Sequence, residues 1–186
     1  MTEYIICKAC GYVTKKDRLK DKCPACGVPA KMFEPYDDKV SHGRRMILTL
    51  DMHPILVHFP IAFAVTVLFM LILSLFIQGD IQSHLKATIT VLTFCIPFVA
   101  TIAFLAGIFD GHIRFRKVTT EILLKKVVLG VIFVILSLTA FVLTWMFSLD
   151  SPSTVYMLIG LFGGCLICNV LLGLLGASLL NAKFPG

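Results

Sequence analysis

Four long apolar stretches fill most of the chain beyond residue 53, with polar positions gathered ahead of them and in short connections between them. They run over residues 54–77, 85–109, 127–147 and 154–180. Each reaches the ~20 residues that a helix needs to cross the hydrocarbon core of a bilayer. Nothing alternates polar and apolar over the ~10 residues of a barrel strand, so the pattern predicts four transmembrane helices. Pro54 and Pro152 suit first helical turns, Ser151 is placed to cap the fourth helix, and Gly79 follows the first. Pro97 falls inside the second span and predicts a kink, because its ring removes an amide donor and crowds the carbonyl of Thr93. In the fourth span, "GLFGGCLICNVLLGLLGA", Gly160 and Gly164 lie one turn apart and permit close helix contact. A homo-oligomer is among the expected assemblies. Cys165 and Cys168 read there as small apolar packing residues rather than metal ligands.

Residues 1–38 break the pattern, being short-ranged, turn-rich and Cys-bearing. Residues 39–52, "KVSHGRRMILTLDM", read as a linker that turns amphipathic, and residues 53–182 as the membrane domain.

Composition agrees with a membrane protein: 58% of residues are hydrophobic, and mean hydropathy is +0.90. A net charge of +6 could suit nucleic acid, but beyond the N-terminal region the bases flank apolar runs, where they set membrane topology. No nucleic-acid partner is expected. Lys39, Arg44 and Arg45 precede the first span, and Arg114, Arg116, Lys117, Lys125 and Lys126 lie between the second and third. The opposite connections hold only Lys86. The positive-inside rule then places both termini in the cytoplasm and the protein in the cell membrane, with the lipid bilayer as its first partner. "MTEYIICKAC" lacks the pattern of a signal peptide, which agrees with a cytoplasmic N-terminus.

The sharpest chemical signal is "CKACGY" with "CPACG", which gives C-x2-C-x12-C-x2-C through Cys7, Cys10, Cys23 and Cys26. Four soft thiolates make a tetrahedral cage for iron or zinc, and each two-residue gap lets one segment supply two ligands. Gly11 and Gly27 follow the second Cys of each pair and can take a positive φ, turning amides toward sulfur. Two disulfides are the alternative, which a reducing cytoplasm disfavours.

"YIICKACGYV", "KCPACGVP" and "KMFEPY" resemble the short rubredoxin-like domain of rubrerythrins over residues 3–36. The resemblance implies one iron on the four cysteines, carrying single electrons, with zinc as the alternative metal. Lys22 stands where rubredoxins often place an aromatic before the third Cys. The predicted fold class is thus an all-α membrane protein, a four-helix transmembrane bundle with a small N-terminal rubredoxin-like metal-ribbon domain.

At the mouth of the first span, "DMHPILVHFPIAF" carries His53 and His58, and the second span ends in "GIFDGHIRF" with Asp110 and His112. Ionisable groups at membrane depth are expensive and so read as functional. Five residues at about 100° each put His53 and His58 on different faces. A helix beginning at Pro54 would leave His53 at the cap and turn His58 into the bundle. His58 with His112 is the expected axial pair for a haem b, or else the pocket holds a quinone, with Asp110 orienting a histidine. His42 and His84 read as exposed connection residues.

"HPILVHFPIAF" and "LAGIFDG" are similar to a family of bacterial and archaeal four-helix membrane domains of uncharacterised function, over residues 51–180. Fusions of that family to Rieske domains imply a redox role and a b-type haem. Lys125 and Lys126 stand where that family often has a further histidine. The expected function is a membrane-anchored electron carrier, rather than a stand-alone enzyme, working with a cytoplasmic redox partner protein. The alternative is a non-redox membrane protein with a structural zinc-ribbon docking module.

Overall fold

The computed structural model describes residues 3–37, 41–48, 50, 52–115 and 119–179. Two compact units are separable, one holding the residues up to Arg45 and one running from Met46 to Gly176.

The first unit is built on a three-stranded antiparallel sheet. Strand β1 (Tyr4–Cys7), β-branched at Ile5 and Ile6, lies between β2 (Val13–Lys15) and β3 (Phe33–Tyr36). The register sets Ile5 opposite Thr14 on one side and Pro35 on the other. Pro35, which has no amide to donate, sits on an edge strand, where a proline is tolerated.

A short helix α1 (His42–Leu48) occupies part of the expected linker. Four long helices follow: α2 (Met52–Ser74), α3 (Asp80–Phe115), α4 (Glu121–Met146) and α5 (Pro152–Leu179). All are long and apolar enough to cross a membrane. Their bounds differ from the hydropathy bounds where polar residues join a helix end. The first starts two residues before Pro54, so His53 lies in a helical turn and is not a cap. The third starts at Glu121, so Lys125 and Lys126 belong to helix α4 and not to the connection. Helix α3 carries Pro97 in its interior and runs on through Asp110, Gly111 and His112.

Each helix turns one stripe inward at helical spacing. Pro60, Ala64, Val67, Leu71 and Ser74 form that stripe on α2, and Ile89, Thr93, Ile96, Ala100 and Ala103 on α3. Gly130, Phe133, Ser137 and Ala140 do so on α4, and Val155, Leu158, Phe162 and Cys165 on α5. Small residues let the backbones approach closely. A Cβ on Gly130 would stand 2.6 Å from the Phe104 ring, and one on Gly164 3.2 Å from Leu136 Cδ1. Gly160 meets nothing within 4 Å, so the two glycines paired by sequence spacing are not equivalent. Cys165 and Cys168 are buried in the apolar core, as packing residues would be.

The outward faces are as apolar as the core, which a bilayer would cover. Phe76, Trp145 and Tyr156 are exposed where α2 and α4 end and α5 begins, the placement of an interfacial aromatic belt. At that end Gln82 donates to the Ser74 carbonyl at 3.0 Å, and Lys86 pairs with Asp150 at 2.7 Å. The Ser151 hydroxyl bonds that of Ser153 at 2.7 Å rather than a helix amide.

Candidate metal centre

Two near-identical turns deliver the four cysteines. In the first, the Cys7 amide donates to the Tyr12 carbonyl at 2.9 Å and the Gly11 amide to the Cys7 carbonyl at 2.8 Å. In the second, the Cys23 amide donates to the Val28 carbonyl at 2.8 Å and the Gly27 amide to the Cys23 carbonyl at 2.9 Å. Gly11 and Gly27 close the turns at φ of 75° and 77°, in the left-handed region where a Cβ costs energy. The ring of five residues explains the spacing: Cys, two residues, Cys, then Gly.

All four Sγ atoms lie within 4.8 Å of one another, and Cys7–Cys26 and Cys10–Cys23 approach to 3.8 Å. A regular tetrahedron with metal–sulfur bonds of about 2.3 Å has an edge of about 3.8 Å. The donor set therefore fits a tetrathiolate ion. No other group of three or more metal-ligating side chains comes together among the described residues.

The sulfurs are not equivalent. Cys7 and Cys23 are buried, Cys10 is half-buried and Cys26 exposed, so the second member of each pair faces outward. The Tyr12 amide pulls the Cys10 thiol down, but burial and the sulfurs of Cys26, Cys7 and Cys23 overcome it and push it up to about 12. For Cys23, burial acts upward and is outweighed by the amides of Cys26 and Ala25 and by the neighbouring sulfurs, which bring it down to about 7. Metal-free, the site thus holds one easily formed thiolate and one resistant thiol.

Residues 6–34 match the family of the rubrerythrin, rubredoxin-like domain. Residues 6–34 are a rubrerythrin-type rubredoxin-like domain. No curated protein and no solved structure matches the chain. Four apolar helices follow the domain, and together they make a four-helix membrane protein carrying a metal-binding ribbon.

The histidines fall differently from the sequence expectation. His58 is exposed, its Nδ1 donating to the Pro54 carbonyl of its own helix, and His112 is exposed as well. Helices α2 and α3 run antiparallel with His53 against Ala103 and Gly107. His58 lies five residues to one side of that level and His112 five beyond Gly107 on the other. At 1.5 Å per residue they stand at least about 15 Å apart along the bundle. They do not form the expected axial pair for a haem.

His53 is the inward histidine. Its Nδ1 donates to the Ala103 carbonyl at 3.1 Å, and its ring lies where a Cβ on Gly107 would be, 2.7 Å away. Asp110 pairs with Arg114 one turn on, at 3.3 Å and 3.4 Å, rather than orienting His112. Sequence reasoning took Lys126 for a connection residue outside the site and passed over Asn169. The signal for both was spacing: Lys126 precedes Gly130 and Phe133 on the α4 stripe, and Asn169 follows Phe162 and Cys165 on that of α5.

Proposed function

We propose that the chain is a membrane-anchored electron carrier, in which Cys7, Cys10, Cys23 and Cys26 hold one iron that exchanges single electrons with a cytoplasmic donor protein and with an acceptor in the four-helix unit. The observation that carries this is the cluster of four cysteine sulfurs, all within 4.8 Å of one another and two pairs at 3.8 Å, in a chain with four membrane spans. Iron held by four thiolates cycles between ferric and ferrous states and carries one electron. The chain's own part is to fix the geometry, to aim the amides of Tyr12, Ala25 and Cys26 at sulfur, and to leave Cys26 exposed toward a partner. Of the two acceptors the sequence suggests, a quinone suits the bundle better than haem b, because only His53 turns inward among the described histidine side chains. Bases before α2 and around the α3–α4 connection support a multi-pass placement in the cell membrane with both termini cytoplasmic.

Metal analysis and a visible spectrum of the purified full-length protein test the reading. An iron–thiolate band that bleaches on one-electron reduction and returns on oxidation is expected. Stoichiometric zinc with no such band, in protein made with iron plentiful, would overturn it and leave the ribbon as a docking module.

A further inference from the structure

The inward stripes of the four helices are apolar over most of their length and turn polar at one end. His53 continues the α2 stripe seven residues, two turns, before Pro60. Lys126 lies one turn before Gly130 on α4, and its ammonium reaches across to α5, where a Cβ on Gly176 would meet it at 3.9 Å. Asp110 lies on α3 one turn past Gly107, which carries the His53 ring. Gly130 meets the Phe104 ring, so Lys126, one turn before Gly130, comes level with the Gly107–Asp110 stretch of the antiparallel helix α3, where the His53 ring lies. Two turns before Gly176 on α5, Asn169 keeps a buried amide nitrogen with no hydrogen-bond partner.

Burying such groups in a membrane bundle is expensive without a purpose. Their pairing is also incomplete. Asp110 is engaged by Arg114, which leaves Lys126, half-buried, with no hydrogen bond or ion pair of its own among the described residues. His53 Nδ1 must carry the proton it gives to the Ala103 carbonyl, so neutral His53 presents Nε2 as a free acceptor. One unpaired donor and one unpaired acceptor beside an apolar core suit a ligand with carbonyl or hydroxyl oxygens on an apolar ring. Beside these groups a cleft of about 260 Å³ reaches Asp110 and is otherwise lined by Ile47, Met52, Leu105, Ala106 and Phe109; His53 and Lys126 are not in its wall. Met52, Leu105 and Phe109 are apolar and exposed, so in a bilayer the cleft would open toward lipid, where a lipid-soluble molecule travels.

We propose that the polar end of the bundle is a quinone-binding site, in which Lys126 donates to a quinone carbonyl oxygen, His53 Nε2 accepts from the hydroxyl of the reduced form, and the cleft beside Asp110 admits the ring from the lipid. This deepens the electron-transfer reading by placing its acceptor, yet binding itself needs no iron. The two therefore fail separately.

The test is titration of decylubiquinone into the full-length protein, zinc-loaded and reconstituted in phosphatidylcholine nanodiscs, followed by calorimetry. Saturable binding at one site per chain is expected. Lys126→Gln and His53→Gln should each weaken it at least tenfold, and Ala106→Phe should block it by filling the cleft. His58→Gln and His112→Gln, on exposed positions, should leave it unchanged. Should Lys126→Gln fail to fold, Ala106→Phe and Lys126→Arg, the latter retaining binding, carry the same decision. No saturable binding by the unaltered protein, or equal binding by the Lys126, His53 and Ala106 variants, would overturn the proposal. Displacement of the quinone by phosphatidylglycerol but not by a second quinone would overturn it too, making the site one for an anionic headgroup.

Discussion

Gly11 and Gly107 separate two reasons for a residue to lack a side chain. Gly11 stands at φ +75° with nothing within 4 Å of an added Cβ, so its cost is one of backbone alone. Gly11→Ala is expected to lose about 1–2 kcal/mol from the metal-loaded ribbon, the usual cost of a left-handed L-residue. At Gly107 the helical backbone is ordinary, and the obstacle is the His53 ring at 2.7 Å. Gly107→Ala should cost about 1–3 kcal/mol, as overpacking does, read as a lower denaturation midpoint in lipid. The cysteines give a pH dependence. Only thiolates bind metal, so proton release per zinc taken up should grow, and affinity should fall, as pH drops through the range in which the free thiols take up protons. Calorimetry in buffers of different ionisation enthalpy measures that number, and release that stays flat between pH 9 and pH 7 would show that the ion is not held by thiolates. At this scale the four cysteines were legible because ligand spacing is a local property. His53 was legible as a candidate at the membrane edge but not as the inward histidine, because that placement depends on a helix starting two residues earlier than Pro54 suggests.

Between elements, the seam of α4 with α5 and that of α3 with α4 are set by positions where a Cβ would intrude. Gly164 faces Leu136 across the first seam and Gly130 faces Phe104 across the second, while Gly160 faces open space. Gly160→Ala should therefore be neutral or gain up to about 1 kcal/mol from helix propensity. Gly130→Ala should cost about 1–3 kcal/mol, since the Phe104 ring, 2.6 Å from the added atom, must move. Gly164→Ala should fall between, because the end of Leu136 is flexible. Thermal unfolding of the three variants in one detergent ranks them, and a Gly160 variant as damaged as the Gly130 variant would contradict this packing. The existence of the four helices was legible, since length and hydropathy are read along one dimension. Their inward faces were less so, because all sides of each helix are apolar, the outer ones for lipid. Under that condition the informative residues are the small and the polar ones at helical spacing. Ala64, Ala100, Ala103 and Gly130 mark the seams, and Lys126 and Asn169 mark where the core stops being apolar.

Across the whole molecule, the two units are stabilised by different physics. The ribbon has three short strands and few buried side chains besides Cys7 and Cys23, too little core to fold on burial alone, so its stability is linked to the metal. The four-helix unit satisfies its backbone within each helix and is held by close packing in lipid, which owes nothing to the ion. Stripping the metal with a strong chelator at neutral pH should therefore unfold the first unit and spare the second. Hydrogen exchange followed by mass spectrometry reads both at once: peptides from residues 3–37 should lose their protection, while those from 60–74, 89–105 and 130–145 should keep theirs. Cys7→Ser, which removes a buried ligand, should reproduce the chelated pattern without chelator, and added zinc should restore protection only in the unaltered chain. If the helical peptides also lost protection, the metal would be a support of the whole fold. The proposed electron carrier would need the separation, because a centre that changes charge at each turnover must not unsettle the bundle proposed to hold its acceptor.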